Sequence, residues 1–166
     1  MPSETCLDLD AFIPYRLSVL TNRVSSAIAR HYSDRFDLTI PEWRVMAVLG
    51  QAPGLSAREV AARTAMDKVQ VSRAVQSLLA AKRLTRTAHS QDGRVAHLSL
   101  SAKGQAIYND VVPLALSLEK QFLSGLTAGE QKSLDALLAK LSRHMDRMAA
   151  MPATDFHTGS TASVPG

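Results

Sequence analysis

Five side chains close together in the chain, Lys68, Gln70, Ser72, Arg73 and Gln76, could all donate hydrogen bonds to a nucleic acid. An arginine fork fits guanine O6 and N7, and a carboxamide fits adenine N6 and N7. Lysine and serine suit phosphate oxygens, which hold a protein in register without reading sequence. A second candidate pair, Asp92 and Arg94, flanks a single glycine. There a long cation can enter a minor groove and respond to its width, while the carboxylate two residues earlier holds its guanidinium. Plainer alternatives stand beside these readings. The five can be a solvated helix face with Gln70 used up in a cap, and the pair a surface contact worth about 0–1 kcal/mol.

The elements needed to aim these groups are legible around them. Val71, Val75, Leu78 and Leu79 recur at helical spacing, so a helix burying them turns the five polar groups outward. Ser56 with Glu59 and Asp67 with Gln70 each make a capping-box pattern, which opens two short helices back to back. Only the turn Thr64-Ala65-Met66 separates them, a helix-turn-helix corner. The period then changes from about 3.6 to about 2. Leu84–Thr87 and Val95–Leu100 flank the polar turn Ser90-Gln91-Asp92-Gly93, a hairpin signature. Helix, helix and hairpin in this order predict a winged helix-turn-helix.

Charge agrees with that order. Of the chain's formal +4, residues 55–104 hold nine basic and three acidic side chains, a net of +6. The segments before and after are each at −1. A basic excess gathered on the reading segment is what phosphate neutralisation requires, and it argues against a winged helix that has lost its nucleic acid.

Helices are expected on either side. From Pro14 to Phe36, Leu17, Leu20, Val24, Ala27, Ile28 and His31 form a stripe. Thr39 and Glu42 cap a helix carrying Trp43, Met46 and Leu49, with Pro41 in its first turn. Ser101 opens a long helix with Ile107, Val111, Leu114, Leu118 and Phe122 inward and a kink expected at Pro113. Thr127 and Glu130 cap a last helix striped by Leu134, Leu137, Leu138, Leu141, Met145 and Met148. The fold class is therefore mainly α with a small β wing. The expected organisation is a flexible segment 1–10, helices 11–36 and 102–150 serving dimerisation, a winged head 38–101, and a disordered tail 151–166.

The remaining composition excludes several classes. With 166 residues and 46% hydrophobic content, the chain suffices for one well-packed domain. No apolar run approaches the roughly 18 residues of a membrane span, and no signal peptide is visible, so a cytoplasmic location is expected. A single cysteine, Cys6, excludes an internal disulfide. Its neighbours Glu4 and Asp8 disfavour a reactive thiolate. His31, His89, His97, His144 and His157 are scattered, with no metal spacing and no phosphate-cradling glycine loop. Neither enzyme, metal site nor cofactor is expected.

Over residues 11–150 the chain resembles the MarR family of bacterial transcription regulators. The resemblance is carried by Leu38-Thr39 with Trp43, by Val71-Ser72-Arg73, and most specifically by the wing: Asp92-Gly93-Arg94, then Leu98-Ser99-Leu100-Ser101 and Gly104. Ser101 stands where the family usually has threonine. The resemblance implies a homodimer with intertwined end helices, two winged heads on a palindromic operator, and often a small acidic ligand. The run Ile40–Met46 also looks like regulators of aromatic-acid catabolism.

A ligand pocket is expected where the helical base meets the head. Arg16, Arg23, His31, Trp43 and Arg44 come from the two helices that would line it. Arginine suits a carboxylate and tryptophan an aromatic ring. Trp43 as core and His31 as an interface residue are the plainer readings. The leading expectation is a dimeric repressor released by an aromatic carboxylate or its coenzyme A thioester. The alternatives are a peroxide-sensing repressor acting through Cys6 and a ligand-independent DNA-binding regulator.

Overall fold

The computed structural model describes residues 6–88 and 96–150. Its elements are α1 (Ile13–Ala29), α2 (Ser33–Phe36), α3 (Ile40–Gln51), α4 (Ala57–Thr64), α5 (Lys68–Ala80), β1 (Leu84–Ala88), β2 (Ala96–Leu100), α6 (Ala102–Leu123) and α7 (Ala128–Ala149). They divide into two compact units, Met1–Glu119 and Lys120–Gly166.

In the first unit, α3, α4, α5 and the hairpin surround one core. Val45, Met46, Val60, Val71, Leu78 and Val111 are sealed from solvent. Each helix contributes its apolar stripe: Val45, Met46 and Leu49 from α3, Val60 from α4, and Val71, Ala74, Val75 and Leu78 from α5. Leu79, expected inward with them, sits half-buried at the margin.

Side-chain caps start α3, α4 and α5, but one expected box is incomplete. Thr39 with Glu42 and Ser56 with Glu59 make both reciprocal bonds. Asp67 Oδ1 accepts from the Gln70 N–H at 2.7 Å, yet no bond returns from the Gln70 carboxamide. A charged carboxylate at the positive end of the helix caps it unaided.

The stripe from Pro14 to Phe36 is not one helix. The His31 N–H bonds Ile28 O and the Tyr32 N–H bonds Ala29 O, tightened three-residue contacts that end α1. Tyr32 thereby enters the core at 1% exposure, whereas Leu17 and Leu20 stay on an exposed face. After α2, Asp37 takes a left-handed conformation (φ 48°) and turns the chain into α3.

β1 and β2 pair antiparallel from Leu84↔Leu100 to Ala88↔Ala96. A bridge from Leu55 to Leu98 anchors the hairpin beside the start of α4. At the hairpin's base the chain is tightly locked. Ser101 N–H donates to Arg83 O, Ser101 Oγ donates to Lys82 O, and Lys103 Nζ donates to Ala81 O. A Cβ on Gly104 would lie 2.0 Å from the Arg83 carbonyl oxygen, so only glycine allows this approach.

α6 continues through Pro113 from Ala102 to Leu123. In the second unit, Thr127 and Glu130 form the expected box on α7, and Gln131 Nε2 donates to Leu123 O and Leu126 O. α7 buries no residue fully. Leu137, Leu138, Leu141 and Met145 are exposed, as is Phe122 near the end of α6.

Candidate nucleic-acid interface

The corner between α4 and α5 is made at Ala65, whose left-handed backbone (φ 52°) lets the chain reverse within three residues. Met66 plugs the corner at 8% exposure, and Asp67 then starts α5. With Val71, Ala74, Val75 and Leu78 fixed in the core, the opposite face of α5 is defined. Lys68, Gln70, Ser72, Arg73 and Gln76 are all exposed, with Ser72, Arg73 and Gln76 on that face and Lys68 and Gln70 towards its two sides. Among the described residues, none of these five side chains is engaged in an ion pair or side-chain hydrogen bond. Gln70 is not consumed by its cap. The structure therefore brings all five together on one helix, densest at the N-terminal end.

Asp92 and Arg94 lie outside the described residues. The strands that lead to them, β1 ending at Ala88 and β2 beginning at Ala96, are the hairpin expected to carry a wing.

One cation in the charge count does not serve this surface. Arg83 is buried at 8% exposure, and its guanidinium donates to the carbonyls of Phe36 and, at 2.8 Å, Asp37. It closes the end of α2 against the base of the hairpin, and without it the available basic excess falls by one. Glu42 lies buried near it. Burial pushes the Glu42 carboxyl up, but the Ser77 hydroxyl, the Thr39 N–H and hydroxyl, and Arg83 outweigh this and hold it below the usual value. Nothing in the local sequence distinguishes Arg83 from a solvated arginine; only its placement does. Glu59 is likewise held low, first by the Ser56 N–H and then by its hydroxyl, which keeps the α4 cap charged.

The residues expected around a ligand are only partly assembled. Trp43 is half-buried between two aromatic rings, 5.7 Å from Tyr32 and 6.0 Å from Tyr108 by centroid. Desolvation pushes the Tyr32 phenol up to about 12 despite nearby Arg44, so it is neutral at pH 7. Arg44 Nη2 donates to Ser25 Oγ at 3.3 Å across the α1–α3 contact. Arg16, Arg23 and His31 are exposed. At about 100° per residue, Arg16 and Arg23 project from the side of α1 opposite Ser25, Ile28 and Ala29. A single chain thus joins Trp43 with Arg44 and leaves Arg16, Arg23 and His31 apart from them. A groove of about 760 Å³ lies elsewhere, between α4 and α5, lined by Ala61, Met66 and Val71 with Arg58 and Lys68 among its polar residues. Cys6 is an exposed free thiol. Among the described residues no group of three or more His, Cys, Asp or Glu side chains could hold a metal, and no helix is long and apolar enough to cross a membrane.

A two-helix corner, an outward polar face on its second helix and an antiparallel hairpin define a winged helix-turn-helix, a DNA-binding class. Comparison with known proteins makes the class specific. The family model described as MarR family matches residues 36–95. The HTH-type transcriptional regulator BilQ of Clostridium symbiosum is 35% identical over 95 residues, 57% of this chain and 66% of that protein. A MarR/EmrR family regulator from Acinetobacter is 28% identical with a TM-score of 0.78, over 85% of this chain and 99% of the other. BpsR of Bordetella bronchiseptica, whose DNA binding is regulated by 6-hydroxynicotinic acid, is 25% identical with a TM-score of 0.66, over 76% and 98%. The chain belongs to the MarR family of transcriptional regulators. It is a DNA-binding regulator and not an enzyme.

Proposed function

We propose that the protein is a homodimeric repressor of palindromic operator DNA, released by an aromatic carboxylate or its coenzyme A thioester. The observation that carries the DNA half is the outward face of α5, with five polar side chains and no intrachain partner for any of them among the described residues. Arg73 reads a guanine, Gln70 or Gln76 an adenine, and Lys68 and Ser72 hold phosphate. Arg94, held by Asp92, enters the adjacent minor groove. A dimer seated across a promoter excludes polymerase, so repression is the direct output.

The dimer half is supported by apolar side chains left in solvent on α1, α6 and α7, namely Leu17, Leu20, Phe122, Leu138 and Leu141 among them. A second copy covers such faces most economically in a two-fold arrangement, and sets the heads about one helical turn of DNA apart, roughly 34–36 Å.

For the effector, the support is the Trp43–Arg44 pair at the α1–α3 contact, an aromatic face beside a carboxylate-binding cation. BpsR adds weight, because 6-hydroxynicotinic acid is itself an aromatic carboxylate. Arg44 is the first candidate to hold the carboxylate. Arg16, Arg23 and His31 join it only if a partner copy presents them. The ligand lowers operator affinity by binding a DNA-incompetent spacing of the heads more tightly than the competent one, and a coupling of about 1–3 kcal/mol gives a 5- to 150-fold drop.

The test is an operator selected from random duplexes by the full chain. Arg73→Ala should weaken that operator by about 1–3 kcal/mol and relax one or two base positions. Retention of parental affinity and preference would overturn the reading. Hydroxybenzoates, hydroxycinnamates and their thioesters are then screened for operator release. Release by a hydroperoxide alone, abolished in Cys6→Ser, would replace the aromatic pocket with the thiol.

A further inference from the structure

The face of α5 contains one residue that does not fit its surroundings. Val69 is 58% exposed, and among the described residues no other large apolar side chain between Leu20 and Leu116 is exposed. At about 100° per residue it lies almost diametrically opposite the mean direction of Val71, Ala74, Val75 and Leu78. No rotation of α5 that keeps its core face could bury it. Ser72, Arg73 and Gln76, three, four and seven positions on, share its side of the helix, so the valine sits at the centre of the reading face. Local stability does not call for it. A β-branched residue is a poorer helix former than alanine or lysine, and exposed it contributes no burial.

We infer that Val69 is a specificity-determining residue that reads the 5-methyl group of a thymine in the major groove. The assignment rests on α5 being the reading helix, as proposed above. An isopropyl group has neither donor nor acceptor, so it cannot distinguish bases by hydrogen bonding. Of the four natural base edges in the major groove, only thymine presents an apolar group, its C5-methyl. The cations Lys68 and Arg73 near the valine favour a polyanion at this surface and disfavour an apolar protein partner there. Position 69 is also the second residue of α5, in the end that a helix-turn-helix inserts most deeply. The valine and the thymine methyl exclude water from each other, while Arg73 one turn later takes its own base.

The experiment uses the operator selected by the full chain, with each thymine replaced singly by deoxyuridine, which lacks only the methyl. One thymine per half-site should prove sensitive. Loss of one buried methyl corresponds to about a four-fold weakening per half-site, and about fifteen-fold when both half-sites are changed. Val69→Ser, an exposed substitution that leaves the core untouched, should bind the thymine and deoxyuridine operators equally. Val69→Ile should keep the discrimination. The inference is overturned if no thymine is sensitive, or if Val69→Ser discriminates as the parent does. Arg73→Ala separates the two possible failures. Unchanged base preferences in that variant would mean that α5 is not the reader, whereas relaxed preferences with an unaltered methyl response in Val69→Ser reject the valine's role alone.

Discussion

The head and the flanking helices are written in the same amphipathic pattern, yet the structure treats them differently. In the head, the stripes of α3, α4 and α5 close on one another, and Val45, Met46, Val60 and Leu78 lose all contact with water. On α1 and α7 stripes of similar composition bury no residue, and Leu20, Leu137 and Leu141 stay about half exposed. An apolar stripe states that a helix needs a partner; it does not state whose. The head finds its partner within one chain, and under the dimer proposed above the flanking stripes find theirs in a second copy.

The largest effect that tests this contrast comes from paired truncations. Leu78→Ala, at a site with no exposure, should cost about 2–5 kcal/mol of stability at any protein concentration. Leu138→Ala, 46% exposed, should instead act through self-association, so its penalty appears as concentration-dependent melting. Urea melts at two protein concentrations, with light scattering, decide the matter. A concentration-independent penalty for Leu138→Ala would break the comparison.

A middle-sized effect compares two glycines. Gly104→Ala forces a Cβ onto the Arg83 carbonyl oxygen and should destabilise by about 1–3 kcal/mol or more. Gly129, in the first turn of α7, has nothing within 4 Å of the place a methyl would take. Gly129→Ala should therefore stabilise by up to about 1 kcal/mol, the helix-propensity difference. Thermal melts of both variants read the two signs directly, and equal signs would refute the argument from packing.

The smallest effect is electrostatic. The Glu42 carboxyl is held below its ordinary value in the folded chain, so the unfolded chain binds its proton more tightly. Its contribution is fully present above the unfolded pKa, about 4.3, and is lost as pH falls through the lower folded value. Glu42→Gln should cost about 1–2 kcal/mol at pH 7, since it keeps the shape but removes the charge facing Arg83. It should also flatten the acid limb of stability below about pH 4.5. An acid limb identical to the parent's would show that Glu42 carries no linked proton.

Local grammar determined much of this protein in advance. The caps at Thr39, Ser56 and Thr127, the three-residue corner, the hairpin and the five polar residues of α5 all depend on interactions within a few positions, which spacing alone reveals. Other features were decided only by tertiary placement. Arg83 reads as one more basic residue until its guanidinium is seen closing the end of α2, 46 and 47 positions away. Tyr32 breaks the long stripe because the core needs its ring, and that core is built from residues farther along the chain. Gln70 keeps its carboxamide for solvent because the Asp67 charge caps α5 alone. Arg16 and Arg23 part from Trp43 and Arg44 because α3 takes the other side of α1. Val69 stands between the two groups: the direction of the stripe on a helix already turns it outward, and the fold adds that it stays exposed. Hydrogen bonds between near neighbours leave their trace in the sequence, whereas burial and facing depend on which distant surface arrives, and that information exists only once the chain has folded.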